Sequence, residues 1–140
     1  MKFSRLAYYF QAIEKTSSRL EITQLLAKLF LELPVKEIKE TIYLLQGRVV
    51  PQYEKVEFGM AEKTVIKSIV LALNLEKKFF ENKYKKLGDL GQTVEQFRQE
   101  IVSFDQADLE LKEVFQRLYQ LATASGNGSQ EVKVNILTNL

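Results

Sequence analysis

Thr16-Ser17-Ser18-Arg19-Leu20-Glu21 and Ala124-Ser125-Gly126-Asn127-Gly128-Ser129-Gln130-Glu131 are two short polar breaks between apolar, helix-periodic stretches. Each offers hydroxyls and backbone N–H groups where a helix is expected to begin. A helix N-terminus leaves N–H groups unpaired and carries a partial positive charge, which suits an oxyanion such as phosphate. Ser17 and Ser18 add hydroxyl donors, and Arg19 adds a guanidinium fork. Gly126 and Gly128, flanking Asn127 and followed by Ser129, let a backbone approach closely, and Lys133 brings charge nearby. Helix capping alone accounts for a serine or a glycine at such a place. It requires neither the arginine nor Gly-Asn-Gly.

Two weaker signals have the same character. Gly88-Asp89-Leu90-Gly91 follows Lys77, Lys78, Lys83, Lys85 and Lys86. Paired glycines can turn N–H groups outward into an anion-binding nest, although a cap and a turn need the same residues and a lysine run is usually a solvated helix face. Glu57-Phe58-Gly59-Met60-Ala61-Glu62-Lys63 places a glycine ahead of another helix, with Lys63 and Lys67 following. Tyr8-Tyr9 and Phe79-Phe80 have the composition of base-stacking platforms, but at helical spacing they are expected in the core.

Catalytic chemistry is excluded along several lines. The 140 residues include neither histidine nor cysteine, which removes zinc sites, disulfides and imidazole acid–base catalysis. There is no phosphate-binding loop ending in Lys-Ser or Lys-Thr, no His-Glu-x-x-His and no serine with a candidate base. Carboxylates are scattered as on solvated helices, and no metal site is expected. A net charge of +2 means that any polyanion must be met by a local patch. No run of about 18 apolar residues occurs, so no membrane partner is expected and the chain reads as cytoplasmic.

The elements that must carry these turns are all helices. Phe3, Leu6, Ala7, Phe10 and Ile13 form one stripe. Ser18 with Glu21 is a capping-box pair that opens a second helix, carrying Ile22, Leu25, Leu26, Leu29, Phe30 and Leu33. Pro34 ends it and opens a third, with Ile38, Ile42 and Leu45, closed by Gly47. Arg48–Ala61 is predicted as a loop. A fourth helix presents Val65, Ile66, Ile69, Val70 and Leu73, and Asn74 separates it from a fifth with Phe79, Phe80, Tyr84 and Leu87. Thr93 with Gln96 predicts the start of a short helix through Phe97 and Ile101, and Ser103–Asp108 a loop. Leu111, Val114, Phe115, Leu118, Leu121 and Ala122 mark another helix. Val132, Ile136, Leu137 and Leu140 mark the last, where the β-branched cluster offers a strand as the alternative.

The expected fold is therefore all-α, one irregular multi-helix domain over residues 1–140. It carries an approximate two-fold repeat of helix–polar turn–helix units. Phe10, Ile13 and Ser17 align with Leu118, Leu121 and Ser125. After insertion of Gly126-Asn127-Gly128, Leu25, Leu26 and Leu29 align with Ile136, Leu137 and Leu140. The second half stops at Leu140, so the chain is expected to be truncated at its C-terminus.

Thr16–Glu21, Tyr43-Leu44-Leu45-Gln46-Gly47-Arg48, Phe58–Lys63, Gly88–Gly91 and Ala124–Glu131 occur in that order. Together they resemble the N-terminal DNA-binding domain of ATP-dependent DNA ligases of the archaeal and eukaryotic replicative type, over nearly the whole chain. The resemblance implies a helical domain with internal two-fold symmetry that grips the minor groove around a nick, mainly through phosphates. By position, it implies DNA contacts from Ser17, Ser18, Arg19, Gly59, Lys63, Gly88, Asp89, Leu90, Gly91, Gly126, Asn127, Gly128, Ser129 and Lys133. It also implies nicked double-stranded DNA as partner, and a parent protein that adds nucleotidyltransferase and OB-fold domains and uses ATP and Mg²⁺. The family's adenylated Lys-x-Asp-Gly motif is absent here, so the chain alone is not expected to seal nicks or to hold a cofactor. The location implied is with the DNA, at the nucleoid in a prokaryote or in the nucleus of a eukaryote. The rival reading is a helical protein–protein interaction module, with apolar surface near Leu137 and Leu140. A helix-turn-helix regulator is disfavoured, because no base-reading helix rich in Arg, Asn and Gln is evident.

Overall fold

A computed structural model describes residues 1–101 and 108–140. Its regular elements are eight α-helices: α1 Phe3–Glu14, α2 Arg19–Glu32, α3 Ile38–Leu45, α4 Glu62–Ala72, α5 Lys77–Leu87, α6 Leu90–Glu100, α7 Leu111–Thr123 and α8 Ser129–Thr138. No strand occurs among the described residues. The β-branched Val132–Ile136 stretch is helical, and the all-α expectation holds. The loop expected over Ser103–Asp108 lies outside the described residues except for Asp108, which is irregular.

Local chemistry sets the boundaries. Ser18 is extended (φ −72°, ψ 114°) and caps α2. Pro34 cannot continue that helix, and a single 3-10 turn at Val35–Glu37 leads into α3. Gly47 (φ 66°) closes α3. Its N–H bonds to Leu44 O at 2.9 Å and the Arg48 N–H to Tyr43 O at 2.9 Å, the paired bonds of a left-handed C-terminal cap. α6 starts at Leu90, capped by Asp89, a turn before the Thr93–Gln96 pair expected to open it, and half-buried Leu90 packs against the core. Thr93 is fully buried, and its hydroxyl donates back to Asp89 O at 2.6 Å.

The described residues form two compact units. One holds Met1–Glu57 together with α7 as far as Ala122. Its core is Leu6, Tyr9, Leu29, Leu33 and Leu111, with Phe10, Leu25, Ile38 and Leu45 packed around it. The chain start is stitched to the segment before α7. Phe3 N donates to Leu109 O at 2.8 Å and Leu111 N to Met1 O at 2.9 Å.

The other unit runs from Phe58 through α6 and takes Thr123–Leu140. Its core is Ile66, Leu73, Phe80 and Phe97, with Phe80 and Phe97 stacked at 5.5 Å. α8 lies along α4, where Val134 is buried and the Thr138 hydroxyl donates to Ser68 O at 3.4 Å. Leu137 and Leu140 are half-buried. The internal repeat finds no support in this division: α1 packs on α2 within one unit, whereas α7 and α8 belong to different units.

Candidate functional site

The first polar turn is a self-contained cap. Ser18 Oγ accepts from Glu21 N at 3.4 Å, and Ser18 N donates to Thr16 Oγ1 at 3.1 Å. The Thr16 hydroxyl donates to the Glu21 carboxylate. The capping box thus closes through Thr16, which satisfies Glu21 and leaves Ser17, Ser18 and Arg19 exposed. The N–H groups of Arg19 and Leu20 precede the first intrahelical bonds, as in any α-helix.

The other three turns come together in the second unit. α4 begins after Gly59 (φ 57°) with Ala61 at its cap, and α8 begins at Gly128 (φ 80°). Neither start carries a side-chain cap. Two α8 side chains reach the segment before α4: Lys133 Nζ donates to Phe58 O at 2.6 Å and Gln130 Nε2 to Gly59 O at 3.3 Å. The Tyr84 hydroxyl, in the last turn of α5, donates to Glu62 Oε2 in the first turn of α4 at 3.1 Å. That bond raises the Tyr84 hydroxyl above its ordinary pKa. One turn beyond Tyr84 comes Gly88 (φ 72°), followed by Asp89, which caps α6 by accepting from Gln92 N at 2.7 Å. Gly59, Lys63, Gly88–Gly91 and Gly126–Ser129 therefore occupy one end of this unit, and three helices begin there.

Within that end the residues differ in what they offer. Gly59, Lys63, Gly88, Gly91, Gly126, Asn127 and Gly128 are exposed, and Ser129 is half-exposed. Asp89 spends its carboxylate on the α6 cap, and half-buried Leu90 packs against the core. A Cβ on Gly91 would sit 3.3 Å from Asp89 Oδ1, so the small residue lets the cap close. Lys133, expected as surface charge, is only 5 % exposed, and its ammonium is bonded to Phe58 O. Lys83 pairs with Glu100 at 2.5 Å, while Lys78, Lys85 and Lys86 stay exposed. Ser17, Ser18 and Arg19 belong to the other unit. Gln130 and the Tyr84–Glu62 bond were not foreseeable from spacing, because their partners lie 71 and 22 residues away.

Outward N–H groups at helix starts, glycine turns without β-carbons and exposed lysines can hold a polyanion's phosphates. Among the described residues no group of acidic side chains is placed to hold a metal ion. No helix among the described residues is long and apolar enough to cross a membrane.

Residues 2–140 match the family model described as DNA ligase N terminus. The whole chain aligns at 44% identity with a probable DNA ligase of Dictyoglomus thermophilum, covering 23% of that protein. It aligns at 38% identity with a DNA ligase of Nitrosopumilus maritimus and at 37% with DNA ligase 2 of Thermofilum pendens, covering 24% and 25% of those proteins. The chain spans about a quarter of the length of the curated relatives it matches.

Proposed function

The chain belongs to the family of DNA ligase N termini, and from that membership we propose that it is the non-catalytic DNA-binding module of an ATP-dependent DNA ligase. It holds duplex DNA around a nick through minor-groove phosphate and backbone contacts, without reading base sequence, in replication, repair and recombination. Adenylation and OB-fold domains of the parent protein, using ATP and Mg²⁺, carry the sealing reaction. The observation that most supports this reading is the gathering of three helix starts and their glycine turns at one end of the second unit. Ser17, Ser18 and Arg19 supply a separate phosphate contact from the first unit. Such contacts position a protein on DNA without specifying sequence, and they weaken with salt.

Fluorescence anisotropy with nicked and intact duplexes at several salt concentrations tests the proposal. The expected dissociation constant is on the order of 10⁻⁴ to 10⁻⁶ M at physiological salt, insensitive to base sequence. Absence of binding at low salt overturns it in favour of a protein–protein module; Leu137 and Leu140 are half-buried, and the most exposed apolar side chains among the described residues are Leu31, Val35 and Tyr53.

A further inference from the structure

We propose that Lys133 and Gln130 are positioning residues: they grip two consecutive carbonyls of the Phe58–Lys63 segment and thereby aim the Gly59 and Met60 N–H groups outward. That those amides meet a DNA phosphate rests on the function proposed above; the grip itself does not.

The segment before α4 has no helical or sheet bonds of its own to fix its peptide planes. Its shape depends on what holds Phe58 O and Gly59 O. Lys133 Nζ takes the first at 2.6 Å and Gln130 Nε2 the second at 3.3 Å, both from α8. In a trans peptide the carbonyl and the following N–H point in opposite directions across one plane. Carbonyls held against α8 therefore turn the N–H groups of Gly59 and Met60 away from it. Gly59 sits at φ 57°, the left-handed region, which lets two successive planes face the same way. Lys133 itself is 5 % exposed, and an ammonium in such a place is tolerated because a carbonyl accepts from it. Its two remaining N–H donors are enclosed with the rest of the side chain, which keeps the ammonium on the backbone side of the segment. The charge that looked like part of the anion site acts one step behind it.

Lys133→Met keeps the aliphatic stem and removes the donor. In the free protein, ¹⁵N relaxation should show the Gly59 and Met60 amides falling from rigid order parameters of about 0.85 to below about 0.6, with α4 beyond Ile66 unchanged. Gln130→Ala removes the weaker grip at an exposed position and should move the same amides less, which keeps the test open if Lys133→Met does not fold. On nicked duplex, Lys133→Met should weaken binding roughly tenfold, about the factor one charged hydrogen bond carries, while leaving the salt slope unchanged. A slope reduced by about 0.9 with rigid amides would make Lys133 a phosphate ligand and overturn the inference. Order parameters unchanged in both variants would overturn it as well. If the wild-type chain binds no DNA, the functional reading fails, and relaxation still decides the grip.

Discussion

Glu32 accepts three hydrogen bonds from two side chains. Arg5 donates to it through Nε at 2.9 Å and Nη2 at 2.7 Å, and the Tyr9 hydroxyl donates at 2.6 Å. The Arg5 bonds first, and the Tyr9 bond second, bring the Glu32 carboxyl down to about 2 from an ordinary 4.5. A carboxyl lowered by folding stabilises the native state above its unfolded pKa, and that contribution fades as pH falls through the folded value. The loss should thus fall between about pH 4.5 and about pH 2. The bond to Glu32 also raises Tyr9, so its hydroxyl contributes below pH 10 and is lost as pH rises beyond that. Urea midpoints followed down from neutrality should drop through the acid window, and Glu32→Gln should flatten that limb. Tyr9 also shows what a sequence leaves open at this scale. Adjacent helical residues point about 100° apart, so only one of Tyr8 and Tyr9 faces the core. The pair alone does not say which, and it is Tyr9 that is buried while Tyr8 is 57 % exposed. Phe79 and Phe80 divide in the same way.

The junction between α5 and α6 concentrates the strongest element-level signals in two residues. Gly88 ends α5 at φ 72°, with open space where a Cβ would stand. Gly88→Ala therefore meets only backbone strain, expected to cost about 1 kcal/mol. Asp89→Ala removes the α6 cap and should cost about 1 kcal/mol as well. Denaturant unfolding monitored at Tyr84, one turn away, checks both. Caps and glycine turns of this kind were legible because each depends on a few adjacent residues. Ser18 before Glu21 and Gly47 after Leu45 lie where the sequence puts them. The start of α6 is ambiguous in the sequence, because Thr93–Gln96 satisfies the same local rule as Asp89–Gln92. What separates them is tertiary: Leu90 packs against the core and Thr93 is fully buried.

Across the molecule, the five family motifs were readable, yet the ties among them were not. Lys133 to Phe58 spans 75 residues, and nothing in the local pattern distinguishes a buried lysine from a solvated one. The repeat was legible only as apolar spacing, and helix spacing carries no record of which helices share a core. Arg19, exposed at the α2 start, belongs to the DNA reading at this scale. Arg19→Ala should weaken binding evenly across sequences and reduce the salt slope by about one, measured by the same anisotropy titrations.

The stitching of Met1 and Phe3 to Leu109 and Leu111 sets a timetable. The first unit is interrupted in sequence by most of the second, and it lacks α7 until the ribosome has made Ala122. At synthesis rates of ~5–20 residues per second, the completed Met1–Glu57 stretch waits roughly 3 to 13 s for that helix. The nascent chain carries Leu6, Tyr9 and Leu29 without Leu111 for most of that interval. Ribosome-stalled chains ending before Leu111 should be protease-sensitive in α1 and α2, and those extended well past Ala122 should resist.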